Sequence, residues 1–325
     1  MRALVLNQPG PVTSLNICEM PEPHPESGQL RVSVEAVGLN PVDYKLAGRG
    51  NPSWKFPHIL GLDVAGVIDE IGDGVEQWKV GDRIFYHGDL TQPGGFADYA
   101  ITSAHTVAGI PDSVSFTDAA ALPCAGLTAY QGIVRRLNVS ENQTVWIQGG
   151  AGGVGGYGIQ ICKSRKATVI TTCSAKNEEY VKALGADHVI DYQNEDILVR
   201  IREITNGRGV DAVQSAVDND TADQGVKGLC FGGSISCIAG LPPLSEETFG
   251  KAISVHKIAL GGAHTSNNHD AQTDLANMAK ELIALVVDGR VNPMVTDLID
   301  LKDIPEGLGR LETRHVRGKI VAKLK

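Results

Sequence analysis

Three glycines constrain this chain more than any other feature. Gly150, Gly152 and Gly155 follow the β-branched run TVWIQ (144–148) and open a segment whose apolar residues Val154, Ile161 and Cys162 share one helical face. In a strand–turn–helix unit of this kind the first glycine permits a tight turn and the second lets backbone N–H groups approach a pyrophosphate. The third lets helix and strand pack closely, with the anion at the helix N-terminus. A bare GxGxxG is weak in a chain with 38 glycines, because glycine clusters are mostly ordinary turns. The strand before it and the amphipathic helix after it convert it into a dinucleotide-binding expectation, with Gly153 and Val154 completing the loop.

The rhythm of the chain changes around this loop. Before about Ile110 short β-branched runs alternate with turn residues, as in LRVSVEAVGL, VAGVIDEIG, DRIFYHG and FADYAIT, which is an all-β signature. From Thr144 onward strand, glycine turn and helix alternate, which builds a parallel sheet with right-handed crossovers. A helical period then runs from Asp270 to Gly289 in Leu275, Met278, Leu282 and Leu285, and the tail returns to β-like runs in VTDLIDL and GKIVAKL. The tail is therefore expected to rejoin the N-terminal domain. At 325 residues the chain exceeds what one hydrophobic core fills, so two domains are expected: 1–123 with 265–325, and 124–264.

A formal net charge of −9 with no local run of Lys and Arg excludes nucleic acid and anionic membrane as expected partners. The six cysteines are scattered and none forms a CxxC pair, which argues against a disulfide framework or zinc ribbon and for a reducing cytoplasm. The opening run MRALVLNQPGP is broken by Asn7 and Pro9, and reads as a first strand of a soluble protein. Where NAD-preferring folds place an acid about 20 residues past the loop, Ile170 to Cys173 hold none; Ser174 and Lys176 follow, a hydroxyl and a cation suited to a 2′-phosphate. NADP(H) is thus expected over NAD(H).

The glycine loop, AALPCAGLTAY (120–130), LGADHVIDY (184–192) and HVRGKIV near the C-terminus together resemble the quinone oxidoreductase, or zeta-crystallin-like, branch of the medium-chain dehydrogenase/reductase superfamily. The resemblance spans the whole chain. It implies an α/β protein with a GroES-like β domain, a Rossmann-like doubly wound parallel-sheet cofactor domain and an active site between them. By motif it implies that Asn40, Asp43, Tyr44 and Lys45 in GLNPVDYK lie near the nicotinamide and that Thr128 contacts the cofactor. Ser174, Lys176 and Tyr192 surround the adenosine phosphate with Arg317, while Ala239 and Gly240, ending the last Rossmann strand, and Gly262 in LGGAH flank the nicotinamide. Each has a plainer reading: Asn40 beside Pro41 as a turn residue, Asp43 as a helix cap, Lys176 as a solvated helix start.

Zinc-dependent relatives carry a Cys and a GHE motif where this chain has Asn40 and GLD (61–63), and nothing between Asp82 and Ala100 supplies their four-cysteine lobe. No metal is expected. The implied activity is hydride transfer from NADPH to a quinone or enone, small-molecule substrates, by a homodimer. A zinc-type alcohol dehydrogenase and a non-catalytic NADPH-binding protein are the alternatives. A Ser/His/Asp hydrolase is set aside because no GxSxG elbow occurs. His58, His87, His256 and His264 are expected to be packing or surface residues.

Overall fold

The computed structural model describes residues 1–243 and 245–325. Its contacts divide the chain into two compact units. The first comprises Met1–Leu127, Leu260–Val287 and Pro293–Lys325, and the second Thr128–Ala259 and Asp288–Asn292.

In the first unit, strands β1 (Arg2–Leu6), β2 (Asn16–Glu19), β3 (Gln29–Gly38), β4 (His58–Ile59), β5 (Asp63–Ile71), β6 (Arg83–His87), β7 (Tyr99–Ser103) and β8 (Ala108–Gly109) precede the parallel-sheet segment. The strand QLRVSVEAVG buries alternate residues along most of its length, so Leu30, Val32 and Val34 point into one core while Gln29, Arg31, Ser33 and Glu35 are half-exposed. That core also takes in Leu4, Leu6, Ile68, Phe96 and the C-terminal Ile304, Leu308 and Ile320. The β-rich stretch is interrupted by one nine-residue helix, Pro41–Arg49, with Pro41 in its first turn. Proline there sacrifices no hydrogen bond, because the first helical N–H groups lack intrahelical acceptors.

The second unit holds β9 (Thr144–Gln148), β10 (Thr168–Cys173), β11 (His188–Asp191), β12 (Val210–Ser215), β13 (Leu229–Cys237) and β14 (Ser254–Lys257). They form one sheet in the order β11-β10-β9-β12-β13-β14, and every neighbouring pair is parallel. Strands β9 and β10 are buried along almost their whole length, as a sheet covered on both faces requires. The order reverses between β9 and β12, which is where doubly wound sheets bind ligands beyond their carboxyl ends. Ala239 and Gly240 do not end the last strand, as the sequence suggested: they follow β13, and β14 adds a sixth strand beyond it.

The chain then returns. Helix His269–Val287 buries Leu275, Met278 and Leu282 in the first unit, on the period read from the sequence. Gln160 and Asn292 exchange two hydrogen bonds, Asn292 N to Gln160 Oε1 at 2.6 Å and Gln160 Nε2 to Asn292 O at 3.1 Å, which ties Asp288–Asn292 to the second unit. Strands β15 (Val295–Asp300) and β16 (Lys319–Lys323) finally join the first unit's large sheet, with β16 antiparallel to β3.

Candidate active site

In the second unit the glycine loop spans the carboxyl end of β9 and the start of helix Gly153–Ser164, with Gly152 as N-cap. The tight turn belongs to Gly149, whose φ of +67° few side chains tolerate; Gly150, expected in that role, has an ordinary φ. Gly150 is a packing glycine, since a Cβ there would stand 2.1 Å from Thr171 Oγ1. A Cβ on Gly155 would meet Gly149 O at 2.2 Å, whereas one on Gly152 would meet only that same oxygen at an ordinary 3.6 Å. The space over Gly152 is therefore the open cradle, lined by first-turn N–H groups and by no acidic side chain. This arrangement fits a dinucleotide pyrophosphate.

Ser174 and Lys176 follow the carboxyl end of β10, and Tyr192 that of the neighbouring β11. Tyr192 N donates to Cys173 O at 3.3 Å, and Ser174 Oγ accepts from Asn177 Nδ2 at 3.2 Å. Lys176 and Tyr192 are exposed, and no carboxylate ends β10. Thr128 is buried at the start of a short helix, and Gly240 packs against Asp218, where a Cβ would approach within 2.3 Å. Gly262 and the exposed Arg317 belong to the first unit.

The first unit holds a buried polar knot. Lys319, 3% exposed, uses all three ammonium protons: on Asn40 Oδ1 at 2.6 Å, Asp63 Oδ2 at 3.1 Å and Leu39 O at 3.2 Å. Asp63 Oδ1 accepts from Cys124 N at 2.7 Å, and Asp43 Oδ2 accepts from Asn40 N at 2.8 Å, closing the helix start at Pro41. Gly38 makes room for this, since a Cβ there would lie 2.9 Å from the Asp63 carboxylate and 2.3 Å from Ala120 O. Tyr44 packs half-buried against the core and Lys45 is exposed. Of the candidate residues the structure joins Asn40 and Asp43 directly, and adds Lys319, Asp63 and Cys124, which sequence reading did not single out. The available signal was that Asp63 in GLD and Lys319 in GKIV are charged residues opening apolar runs.

Burial pushes Asp63 upward, opposed by the Lys319 charge and by its bonds from Asn40, Cys124 and Lys319. Asp43 is pushed up to about 8, first by burial and then by the neighbouring Asp63. A carboxyl that binds its proton more tightly folded than unfolded stabilises the fold most at low pH and loses that contribution as pH rises from about 4 toward about 8. Asp43→Asn keeps an acceptor for Asn40 N but carries no charge, so its stability relative to the natural protein should rise with pH across that window. The slope is at most about 1.4 kcal/mol per pH unit. Urea unfolding of both proteins between pH 5 and 8 checks it; parallel curves would refute the assignment.

The knot does not fit a divalent cation. An ammonium already bridges Asn40 and Asp63, Leu62 offers no ligand, and burial beside Asp63 pushes the Cys124 thiol up. Among the described residues no three His, Cys, Asp or Glu side chains are grouped to hold a metal, and no helix is long and apolar enough to cross a membrane.

Residues 26–112 match the alcohol dehydrogenase GroES-like domain and residues 153–281 the zinc-binding dehydrogenase family. The chain is 37% identical over 205 residues to a chloroplast envelope quinone oxidoreductase homolog of Arabidopsis thaliana, covering 60% of this chain and 62% of that protein. It thus spans about three fifths of the length of that relative and of the spinach chloroplast homolog. Over 93% of both chains it is 31% identical to a zinc-type alcohol dehydrogenase-like protein of Staphylococcus epidermidis. Among solved structures it is similar to the quinone oxidoreductase of Coxiella burnetii, with 30% identity, a TM-score of 0.86 and coverage of 100% of this chain and 99% of that one. It is also similar to a mycobacterial protein solved with NADPH, at 26% identity and a TM-score of 0.88 over 99% and 100% of the two chains. The chain belongs to the medium-chain dehydrogenase/reductase superfamily, on its quinone oxidoreductase branch.

Proposed function

We propose that this oxidoreductase uses NADPH to reduce quinones or α,β-unsaturated carbonyl compounds without zinc. The observation that carries the reading is the Lys319 ammonium seated between Asn40 and Asp63, a set of groups that holds a cation of its own and leaves no ligand set for a metal. NADPH, when bound, supplies a hydride. Helix Gly153–Ser164 would bind the pyrophosphate at its N-terminus, and Ser174, Lys176 and Tyr192 the 2′-phosphate. Lys319 holds Asn40 Oδ1, while the carboxamide N–H groups are directed at Gly38 O, 3.4 Å from Nδ2, and at Asp63, so that Tyr44 and Lys45 are the donors left to face an acceptor oxygen. Such donors are modest, and without a Lewis acid an isolated ketone gains little from them. A quinone or enone spreads the incoming charge onto a remote oxygen, where a hydrogen bond suffices.

One assay set tests this. NADPH and NADH are compared with a quinone, an enone, and a saturated alcohol run with NADP⁺, for the natural protein and Lys176→Ala. The expected result is turnover of the conjugated acceptors with a preference for NADPH, reduced about 10- to 100-fold in the variant by loss of one charge-assisted contact. Efficient alcohol oxidation without turnover of either conjugated acceptor would overturn the reading.

A further inference from the structure

Two of the nine histidines meet in an arrangement that packing alone does not require. His87 ends β6 and is 3% exposed, and His264 lies in the short helix Gly262–Thr265, half-buried. His87 Nδ1 and His264 Nε2 are 3.3 Å apart, the ring planes differ by 13°, and the ring centres are 5.6 Å apart. The centre separation exceeds the N···N distance by about the width of one ring, so both nitrogens lie on the line between the centres. The rings therefore meet edge to edge in nearly one plane, as an N–H···N hydrogen bond demands. His105 and His269, with centres 4.5 Å apart, instead stack face to face.

The surroundings give the pair a direction. On the inner side His87 is the cross-strand neighbour of Asp63 and feels the charge of Lys319, which holds Asn40. Burial, His264 and Lys319 together push His87 down to about 3. On the outer side His264 is also pushed down by burial and by His105, but Asp89 and the His87 backbone favour its protonated form. Gln272 braces this side, donating to His264 O at 3.1 Å and Ser266 O at 3.0 Å and contacting His105 Nε2 through Oε1 at 2.9 Å. His264, the less buried ring, is thus the solvent-side member of the pair, and His87 the buried one.

We propose that the His87–His264 pair is a proton relay that supplies the proton consumed when the acceptor is reduced. This rests on the reductase reading above. Two-electron reduction would break one C–H bond of the dihydronicotinamide, form one bond from that hydride to the acceptor and move a π pair onto the carbonyl oxygen. That oxygen then takes one proton from His87 Nε2. The proton shared between the rings passes from His264 Nε2 to His87 Nδ1, and His264 is reprotonated from solvent, so NADPH, acceptor and one solvent proton become NADP⁺ and reduced acceptor. His264 takes up the solvent proton at Nδ1, and the rings regain their starting tautomers before the next turnover when the shared proton returns to His264 Nε2, His87 Nε2 takes a proton from solvent and His264 Nδ1 gives one back.

His87→Gln and His264→Gln test the relay, with NADPH binding and thermal unfolding as controls. Loss of a placed general acid is expected to lower kcat on quinone or enone about 100-fold. NADPH affinity should stay within about twofold, the pH dependence of kcat should flatten, and the solvent deuterium effect should rise. Independently of turnover, ¹⁵N-histidine NMR of the natural protein should show one shared N–H between the two rings, and His87→Gln should shift the His264 signals. Folded, NADPH-binding variants with unchanged kcat and pH profile would make the pair a packing contact. Two unbonded rings in the NMR spectrum would overturn the geometry even if a variant failed to fold. A natural protein that turns over no conjugated acceptor would instead overturn the reductase reading on which the relay rests.

Discussion

Lys319→Met is expected to lower stability by about 3–5 kcal/mol, the range for removing one partner of a buried ion pair. The cost comes from what is left behind. Asp63 is 0% exposed and would keep only uncharged donors, Cys124 N and the Asn40 side chain, while Asn40 Oδ1 and Leu39 O would lose their bonds to Nζ. A buried carboxylate without its counter-charge is far more expensive than the ion pair was favourable, because the pair's attraction mainly offsets the desolvation of both groups. Methionine fills most of the lysine stem, so packing loss contributes little. Two further results follow from the same argument. The double variant Lys319→Met with Asp63→Leu removes the orphaned charge and should recover part of the loss, giving a coupling energy of opposite sign to the single effects. Asp63 in the single variant, without the ammonium that opposes its burial, should protonate more readily, so the deficit should shrink as pH falls. Urea unfolding of the four proteins at pH 5 and 7.5 measures both. Additive losses in the double variant would show that the two side chains do not act as a pair.

The parts of this protein that the sequence makes visible are those built from neighbours along the chain. Strand β9, the glycine loop and helix Gly153–Ser164 are contiguous, and the hydrophobic runs of β9 and β10 announce a sheet buried on both faces. The return of the tail to the first unit was legible because β15 and β16 carry a strand rhythm after a long helix. The polar knot was not legible in full. Asn40 and Asp43 are three residues apart and stood out as a motif, but Lys319 lies 256 residues from Asp63 and reaches it only because β16 pairs with β3 beside β5. The same holds for His87 and His264, 177 residues apart, which read singly as packing residues and acquire a role only from their in-plane contact. Within the loop itself the spacing of the glycines could not say which one turns the chain. The neighbouring Gly149 takes that role because it, and not Gly150, must adopt a positive φ, while Gly150 faces Thr171 of the adjacent strand.

That division of labour among the loop glycines has its own consequence: Gly152→Ala and Gly155→Ala should fail in different ways. At Gly155 a methyl group would stand 2.2 Å from Gly149 O, 2.8 Å from Gly149 C and 2.8 Å from Gly150 Cα, all backbone atoms that cannot rotate aside. The loop must shift, at a cost of about 1–3 kcal/mol for an overpacked site, and with it the N–H groups that would meet the pyrophosphate. At Gly152 the φ of −81° suits alanine, and a methyl group would meet only Gly149 O at 3.6 Å, so the protein itself should accept the change with stability altered by well under about 1 kcal/mol. The methyl group would instead project into the space over the helix N-terminus. A pyrophosphate held off by that group would lose two charge-assisted hydrogen bonds of about 1.5–3 kcal/mol each, which is a fall in NADPH affinity of about 10²- to 10⁴-fold. Gly152→Ala should therefore unfold like the natural protein yet bind NADPH hundreds of times more weakly, whereas Gly155→Ala should lose both stability and affinity. Thermal unfolding with and without NADPH, combined with titration calorimetry, separates the two. An unchanged NADPH affinity in Gly152→Ala would mean that the pyrophosphate does not sit over this helix.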